Sequence, residues 1–297
     1  MIRNCLLLMN LTFLHLSLFS QRAVDVSYTQ DSKGNLVFTC NNRAFCTYVL
    51  TVNFTTFQNA KADHVLPYEA EVKPGINKLF TVSRDGAGEL QIKYTSSYQK
   101  GCLQPSLHPE FIYILPIGPG KETQVFEMSK MPGLDGQDSG FVVRCKMQPG
   151  DTIFAARRGV VTAVHTSSAE NDAGAIATDN WNSVEIVHGD CTFGQYGVFK
   201  KDGAFVHPGQ MVEAGTPLGL VGGDKFGRGS DVRFDVCYYR GGHSILLPMQ
   251  FWTKKNGKGK LKHGATYTSE HPANILSQEL PPAPKKKTAA PLRKKKG

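Results

Sequence analysis

The chain has 297 residues, with 34 Lys and Arg against 25 Asp and Glu, and 40% of it is hydrophobic. That content excludes wholesale disorder, and the length suits two modest domains that can each bury a core. The net charge of +9 does not argue for a nucleic-acid-binding fold, because seven of the cations fall in 281–297, where no acid stands.

At the N-terminus Arg3 precedes an apolar stretch from Cys5 to Phe19, and the small residues Ser17 and Ser20 stand before Gln21. That order fits a secretory signal over 1–20. At about 15 residues the stretch is short for a membrane span, and no later segment reaches the roughly 18 apolar residues a spanning helix needs. With Cys5 removed, Cys40, Cys46, Cys102, Cys145, Cys191 and Cys237 remain. An even number in an oxidising compartment permits three disulfides, in any of about 15 connectivities. The short polar loop between Cys40 and Cys46 makes that pair the first candidate. A zinc knuckle is disfavoured, since no CxxC is present and no His lies at ligand spacing from these thiols.

From 24 to 118 apolar and polar residues alternate. Tyr48, Leu50, Val52 and Phe54 share one face of a strand, as do Leu90, Ile92 and Tyr94. Turn signals at Lys33-Gly34-Asn35, Lys73-Pro74-Gly75 and Asp85-Gly86 punctuate them, which predicts an immunoglobulin-like β-sandwich. A joint at Pro116-Ile117-Gly118-Pro119-Gly120 leads to a second all-β segment over 125–245. Its predicted strands include Thr152 to Ala156, Gly159 to Val164, Ser183 to Val187 and Asp231 to Tyr238. An extension over 246–280 follows, then a Lys-rich tail over 281–297 whose Pro, Ala and Lys content predicts disorder.

Several pieces of the second segment stand in a recognisable order. Tyr113-Ile114-Leu115-Pro116 comes first. Next are Met147-Gln148-Pro149-Gly150-Asp151, Ala155-Ala156 and Gly159-Val160-Val161. Ser183 to Asp190 and Gly229 to Val236 complete the order. Together they resemble the lysostaphin/LytM-type zinc endopeptidases, whose β-sheet core carries a duplicated hybrid motif. The resemblance covers about 125 residues and implies that fold. In this family a His, an Asp and the second His of an HxH pair hold zinc, while the other two histidines assist the attacking water.

Those residues are replaced here. The Asp position holds Arg144, HxH reads Asp231-Val232-Arg233, and Tyr-x-His-Leu reads Tyr196-Gly197-Val198-Phe199. No histidine occurs from Pro109 to Val164, the window for the first ligand. Two arginines where a divalent cation belongs repel it, so no cofactor is expected. Asp231 is expected to pair with Arg144 or Arg233, in a degenerate groove that also includes Tyr196 and Val198.

His165, His188, His207 and His243 are the remaining candidates to rebuild a site with Asp190, Asp235 or Cys237. Cys145 and Cys237 flank the vacated strands and are candidates for a disulfide, with Cys191 an equal alternative partner. The hybrid motif also occurs in biotinyl and lipoyl carriers, but no Met-Lys-Met stands at a hairpin tip.

The resemblance therefore implies an exported bacterial envelope protein, periplasmic or extracellular, that acts without catalysis. Its expected partners are peptidoglycan peptides or an envelope protein, bound through the carboxylate-seeking guanidinium groups. Nucleic acid is not expected, and the basic tail suits weak contact with an anionic surface. The alternative is an active zinc endopeptidase cleaving peptidoglycan cross-links through relocated ligands.

Overall fold

A computed structural model describes residues 22–128, 140–168, 182–223 and 230–277. The leader expected at 1–20 and the tail at 281–297 lie outside the described residues. Seven strands form a first body: β1 (Val24–Gln30), β2 (Leu36–Asn42), β3 (Tyr48–Gln58), β4 (Ala60–Ala62), β5 (Tyr68–Val72), β6 (Gly75–Arg84) and β7 (Gln91–Lys100). They make two antiparallel sheets, ordered β1-β2-β6-β4 and β5-β3-β7. Sequence alternation produces this sandwich, since every second side chain of a strand faces the other sheet. Leu50 and Val52 of β3 thus meet Phe38, Phe80 and Val82 in one core, where Phe38 stacks on Phe80 at 4.6 Å. The middle strand of the smaller sheet is β3; the seven-stranded immunoglobulin arrangement places its sixth strand there.

The second body contains β8 (Ile112–Ile114), β9 (Glu122–Met128), β10 (Val142–Met147), β11 (Thr152–Phe154), β12 (Gly159–His165), β13 (Ser183–Val187), β14 (Phe193–Gly197) and β15 (Phe199–Ala204). It continues with β16 (Met211–Val212), β17 (Pro217–Val221), β18 (Ser230–Arg240), β19 (His243–Leu246), β20 (Gln250–Thr253), β21 (Gly257–Gly259), β22 (Thr266–Thr268) and the single turn of helix α1 (Ala273–Leu276). The main sheet runs β16-β12-β13-β14-β18-β10-β9-β22, with β19 also on β18. Long β18 is its spine, pairing β10 and β14 with its first part and β19 with its end. Val143, Cys145, Val184, Ile186, Val232, Phe234 and Val236 point from this sheet into the core. The chain is all-β apart from α1 among the described residues, and no helix there is long and apolar enough to cross a membrane.

Two boundaries differ from the sequence reading. Phe111 to Ile117 packs in the second core, so the sandwich ends at β7. The extension after 245 is woven into the second body, because β20 pairs in parallel with β8 and β22 pairs with β9.

The two bodies meet along a seam that overturns the expected disulfide pattern. Cys102, just after β7, is bonded to Cys191 in the β13–β14 turn. Cys40, Cys46, Cys145 and Cys237 are buried free thiols, so neither Cys40–Cys46 nor Cys145–Cys237 forms. Strand geometry explains both. Cys40 turns into the sandwich core, whereas Cys46 turns outward to pack on Phe193 and Cys237 at the seam. Cys145 lies opposite Val232, and Cys237 is five residues farther along β18 on the other face. Burial also pushes the Cys46 and Cys145 thiols up to about 12, which leaves almost no thiolate for oxidation at neutral pH. Beside the disulfide, Lys100 Nζ meets Glu185 Oε1 at 2.7 Å, in a pair whose carboxylate side chain is 7% exposed.

Candidate functional site

The face of the main sheet turned away from its core carries the charged residues. In β10, Arg144 and Lys146 alternate with buried Val143, Cys145 and Met147; in β18, Asp231, Arg233 and Asp235 alternate with Val232, Phe234 and Val236. Antiparallel register sets Arg144 opposite Arg233 and Lys146 opposite Asp231. Asp231 Oδ2 accepts hydrogen bonds from Arg144 Nε at 2.9 Å and from Nη2, while its Oδ1 accepts from Arg233 Nε at 3.3 Å. The predicted pairing is therefore present on both sides. The three side chains are 18%, 7% and 20% exposed for Arg144, Asp231 and Arg233, which makes these bonds charge-assisted in a partly dry setting.

Phe126 of β9, the register partner of Arg144, extends the cluster. The Arg144 guanidinium and the Lys146 ammonium each lie 5.8 Å from its ring centroid. Sequence reasoning missed both residues. The Arg144-x-Lys146 spacing on a strand signals Lys146, but Phe126 becomes visible only once β9 and β10 are in register.

Tyr196 is a correction. It lies opposite Phe234, with ring centroids 4.8 Å apart, and is fully buried, its hydroxyl accepting the Ala156 N–H at 2.8 Å. The family motif fixed its position in the chain but not its face. The neighbour Gly197 is the residue opposite Arg233. Val198 follows at a φ of 74°, a strained setting for a β-branched residue, with its N–H bonded to Asn182 O at 2.9 Å.

The histidines do not assemble a second site. His188 is buried against the other charged network of this body: its Nδ1–H donates to Arg158 O at 2.8 Å, and its Nε2 has no partner. Asp190, named as a possible co-ligand, is instead held by Arg157 Nη1 at 2.9 Å. His165 and His243 are exposed at strand ends, and His207 bonds the Pro208 carbonyl at a turn. Among the described residues no group of three His, Cys, Asp or Glu converges to hold a metal ion. The zinc implied by the sequence resemblance does not fit the residues present, because the positions to which that resemblance assigns its ligands hold an ion-paired Arg144–Asp231–Arg233 set. An imidazole-carboxylate shell attracts a divalent cation, whereas two guanidinium groups repel it.

His188, which is buried, and Asp235, which is half-buried, titrate in opposing senses. Burial, with the Arg157 charge nearby, pulls His188 from 6.5 down to about 3. The unfolded chain then binds a proton that the folded chain resists, so this contribution is complete above 6.5 and lost as pH falls toward 3. Burial, with the Glu185 charge next, pushes Asp235 from 3.8 up to about 7. Its contribution is complete below 3.8 and lost as pH rises through 7. Urea midpoints across pH 4–8 should separate the two. His188→Gln is expected to flatten the acid limb, and Asp235→Asn to gain on the order of 2 kcal/mol more at pH 8 than at pH 5. A gain from Asp235→Asn that shrinks with pH would reverse that assignment.

No protein-family model matches the sequence, and no curated protein matches it either. Solved structures similar to it are peptidases of the M23/LytM family. A mutant catalytic domain of the prophage-encoded M23 protein EnpA from Enterococcus faecalis aligns at 22% identity and a TM-score of 0.28, covering 48% of this chain and 92% of that one. The catalytic domain of the antimicrobial peptidase lysostaphin from Staphylococcus simulans aligns at 14% identity and a TM-score of 0.30, covering 42% and 87%. Csd3 from Helicobacter pylori aligns at 13% identity and a TM-score of 0.31, covering 80% and 77%. At these values the residues of the site, not the likeness, decide its chemistry.

Proposed function

We propose that this protein is an exported cell-envelope component whose LytM-type domain has exchanged metal-dependent peptide cleavage for binding, with peptidoglycan peptides as the ligand. It scaffolds or regulates envelope remodelling rather than cutting the polymer. The observation that supports this is the Arg144–Asp231–Arg233 cluster with Lys146 beside it, a cationic face at the positions where the resembling family holds zinc. Guanidinium forks and ammonium groups suit peptide carboxylates, and such contacts need no metal.

Co-sedimentation of the full chain with purified peptidoglycan sacculi tests the reading. The wild type is expected in the pellet at low salt, and Arg144→Lys and Lys146→Ala are each expected to weaken binding several-fold, about 1 kcal/mol per lost contact. Undiminished sedimentation of both variants would remove this face from the function.

A further inference from the structure

We infer that the cationic face receives the end of a peptide chain, a terminal carboxylate with the few residues before it, because the N-terminal sandwich closes one side of that face. The inference rests on the binding reading above and adds to it which part of the ligand is read. The residues of β18 on this face are, in order, Asp231, Arg233, Asp235, Cys237 and Tyr239. The first two carry the ion pairs, and the last two lie under the sandwich. Cys237 is 1% exposed and packs with Cys46 of the sandwich and with Phe193. Lys100 Nζ stands 5.3 Å from the Tyr239 ring centroid. Backbone at Gly101, at a φ of 108°, passes so close that a Cβ there would lie 3.2 Å from Tyr239 Cβ.

Two residues beyond Arg233, at Asp235, the direction across the strands is closed as well. From Asp235 the sheet passes through Gln195 of β14 to Glu185 of β13, where Gln195 and Tyr239 donate to Oε2 at 2.7 and 3.1 Å and Lys100 reaches Oε1 at 2.7 Å. A ligand extending past Arg233 along β18 thus meets the sandwich within four residues, about 13 Å of strand. The closure is held covalently by Cys102–Cys191, so it is a wall and not a passing contact.

On the other side, Lys146 is exposed and Phe126 partly so, and Arg144 Nη1 has no hydrogen-bond partner among the described residues. A chain that runs through a site needs an exit on both sides; a chain end needs one. A terminal carboxylate also brings the anion that a guanidinium favours, which an internal peptide bond lacks.

Calorimetric titration of the full protein with three probes tests this: N-acetyl-Lys-D-Ala-D-Ala as the free acid, its C-terminal amide, and the same peptide extended by tetraglycine amide. The free acid is expected to bind at least about tenfold tighter than either other probe, with Arg144→Lys and Lys146→Ala each narrowing the difference. Equal binding of all three would overturn chain-end recognition while leaving peptide binding intact. Binding to sacculi with none to these peptides would also overturn it, and failure of both would remove the binding reading itself.

Discussion

Replacing Arg157 with alanine is expected to cost about 3–5 kcal/mol of stability at pH 7, the largest single effect in the second body. Arg157 and Asp190 are 4% and 1% exposed and meet at 2.9 Å. The guanidinium also lies 3.8 Å from the Phe111 ring centroid and donates to the Tyr113 hydroxyl at 3.4 Å. Truncation leaves the Asp190 carboxylate in a dry site with, among the described residues, only Thr192 as its hydrogen-bond donor, through N–H at 3.0 Å and hydroxyl at 2.6 Å. The loss is that of an unpaired buried charge more than of the pair itself, since desolvation offsets most of an intact buried pair. Arg157→Met combined with Asp190→Asn should therefore recover much of the stability lost by Arg157→Ala. Urea midpoints of the three variants check this; equal destabilisation by the single and double changes would place the cost in packing on Phe111.

Asp231→Ala is expected to cost about 2–3 kcal/mol, less than Arg157→Ala because the guanidinium groups it serves retain some contact with water. Asp231 accepts from both Arg144 and Arg233, which face each other across two adjacent strands. Without it two like charges stand in register, an arrangement that destabilises a strand pair. A double-mutant cycle of Asp231→Ala with Arg144→Ala isolates the interaction, and a coupling of about 1–3 kcal/mol is expected. Additive losses within about 0.3 kcal/mol would mean that the ion pair contributes nothing to the fold.

How far the sequence discloses this molecule depends on what each signal measures. Alternation identified the strands because a pleated chain turns successive side chains to opposite faces, and Leu50, Val52 and Phe38 meet as that period requires. Arg144, Asp231 and Arg233 were readable as a cluster because the resembling family brings those positions together. Tyr196 was not, since a match along the chain leaves the face open and one residue of offset reverses it. The disulfide was hidden for a different reason. Local spacing favours Cys40 and Cys46, whereas the bond joins residues 89 apart through a domain seam that no period announces. The parallel pairing of β20 with β8 is equally remote, so the C-terminal segment looked like an appendage.

The seam joins the sandwich and the sheet through shared hydrogen bonds as well as the disulfide. Glu185, Gln195 and Tyr239 belong to the sheet, yet their shared hydrogen bonds are completed by Lys100 of the sandwich. Burial pushes the Glu185 carboxyl up, but Lys100 and the surrounding donors hold it below its ordinary value, so it stays ionised and the pair stays intact at neutral pH. The sandwich thereby borders the sheet at the row of Asp235, Gln195 and Glu185 without contributing a residue to the ion-paired cluster.

Zinc content of the purified protein, measured by mass spectrometry after dialysis against zinc and then metal-free buffer, tests the proposed exchange of metal chemistry for carboxylate binding most directly. The expected result is below about 0.1 zinc per chain, because Asp231 is committed to Arg144 and Arg233 and the site repels cations. About one zinc per chain, retained through dialysis, would contradict it and make a rebuilt zinc hydrolase the better description.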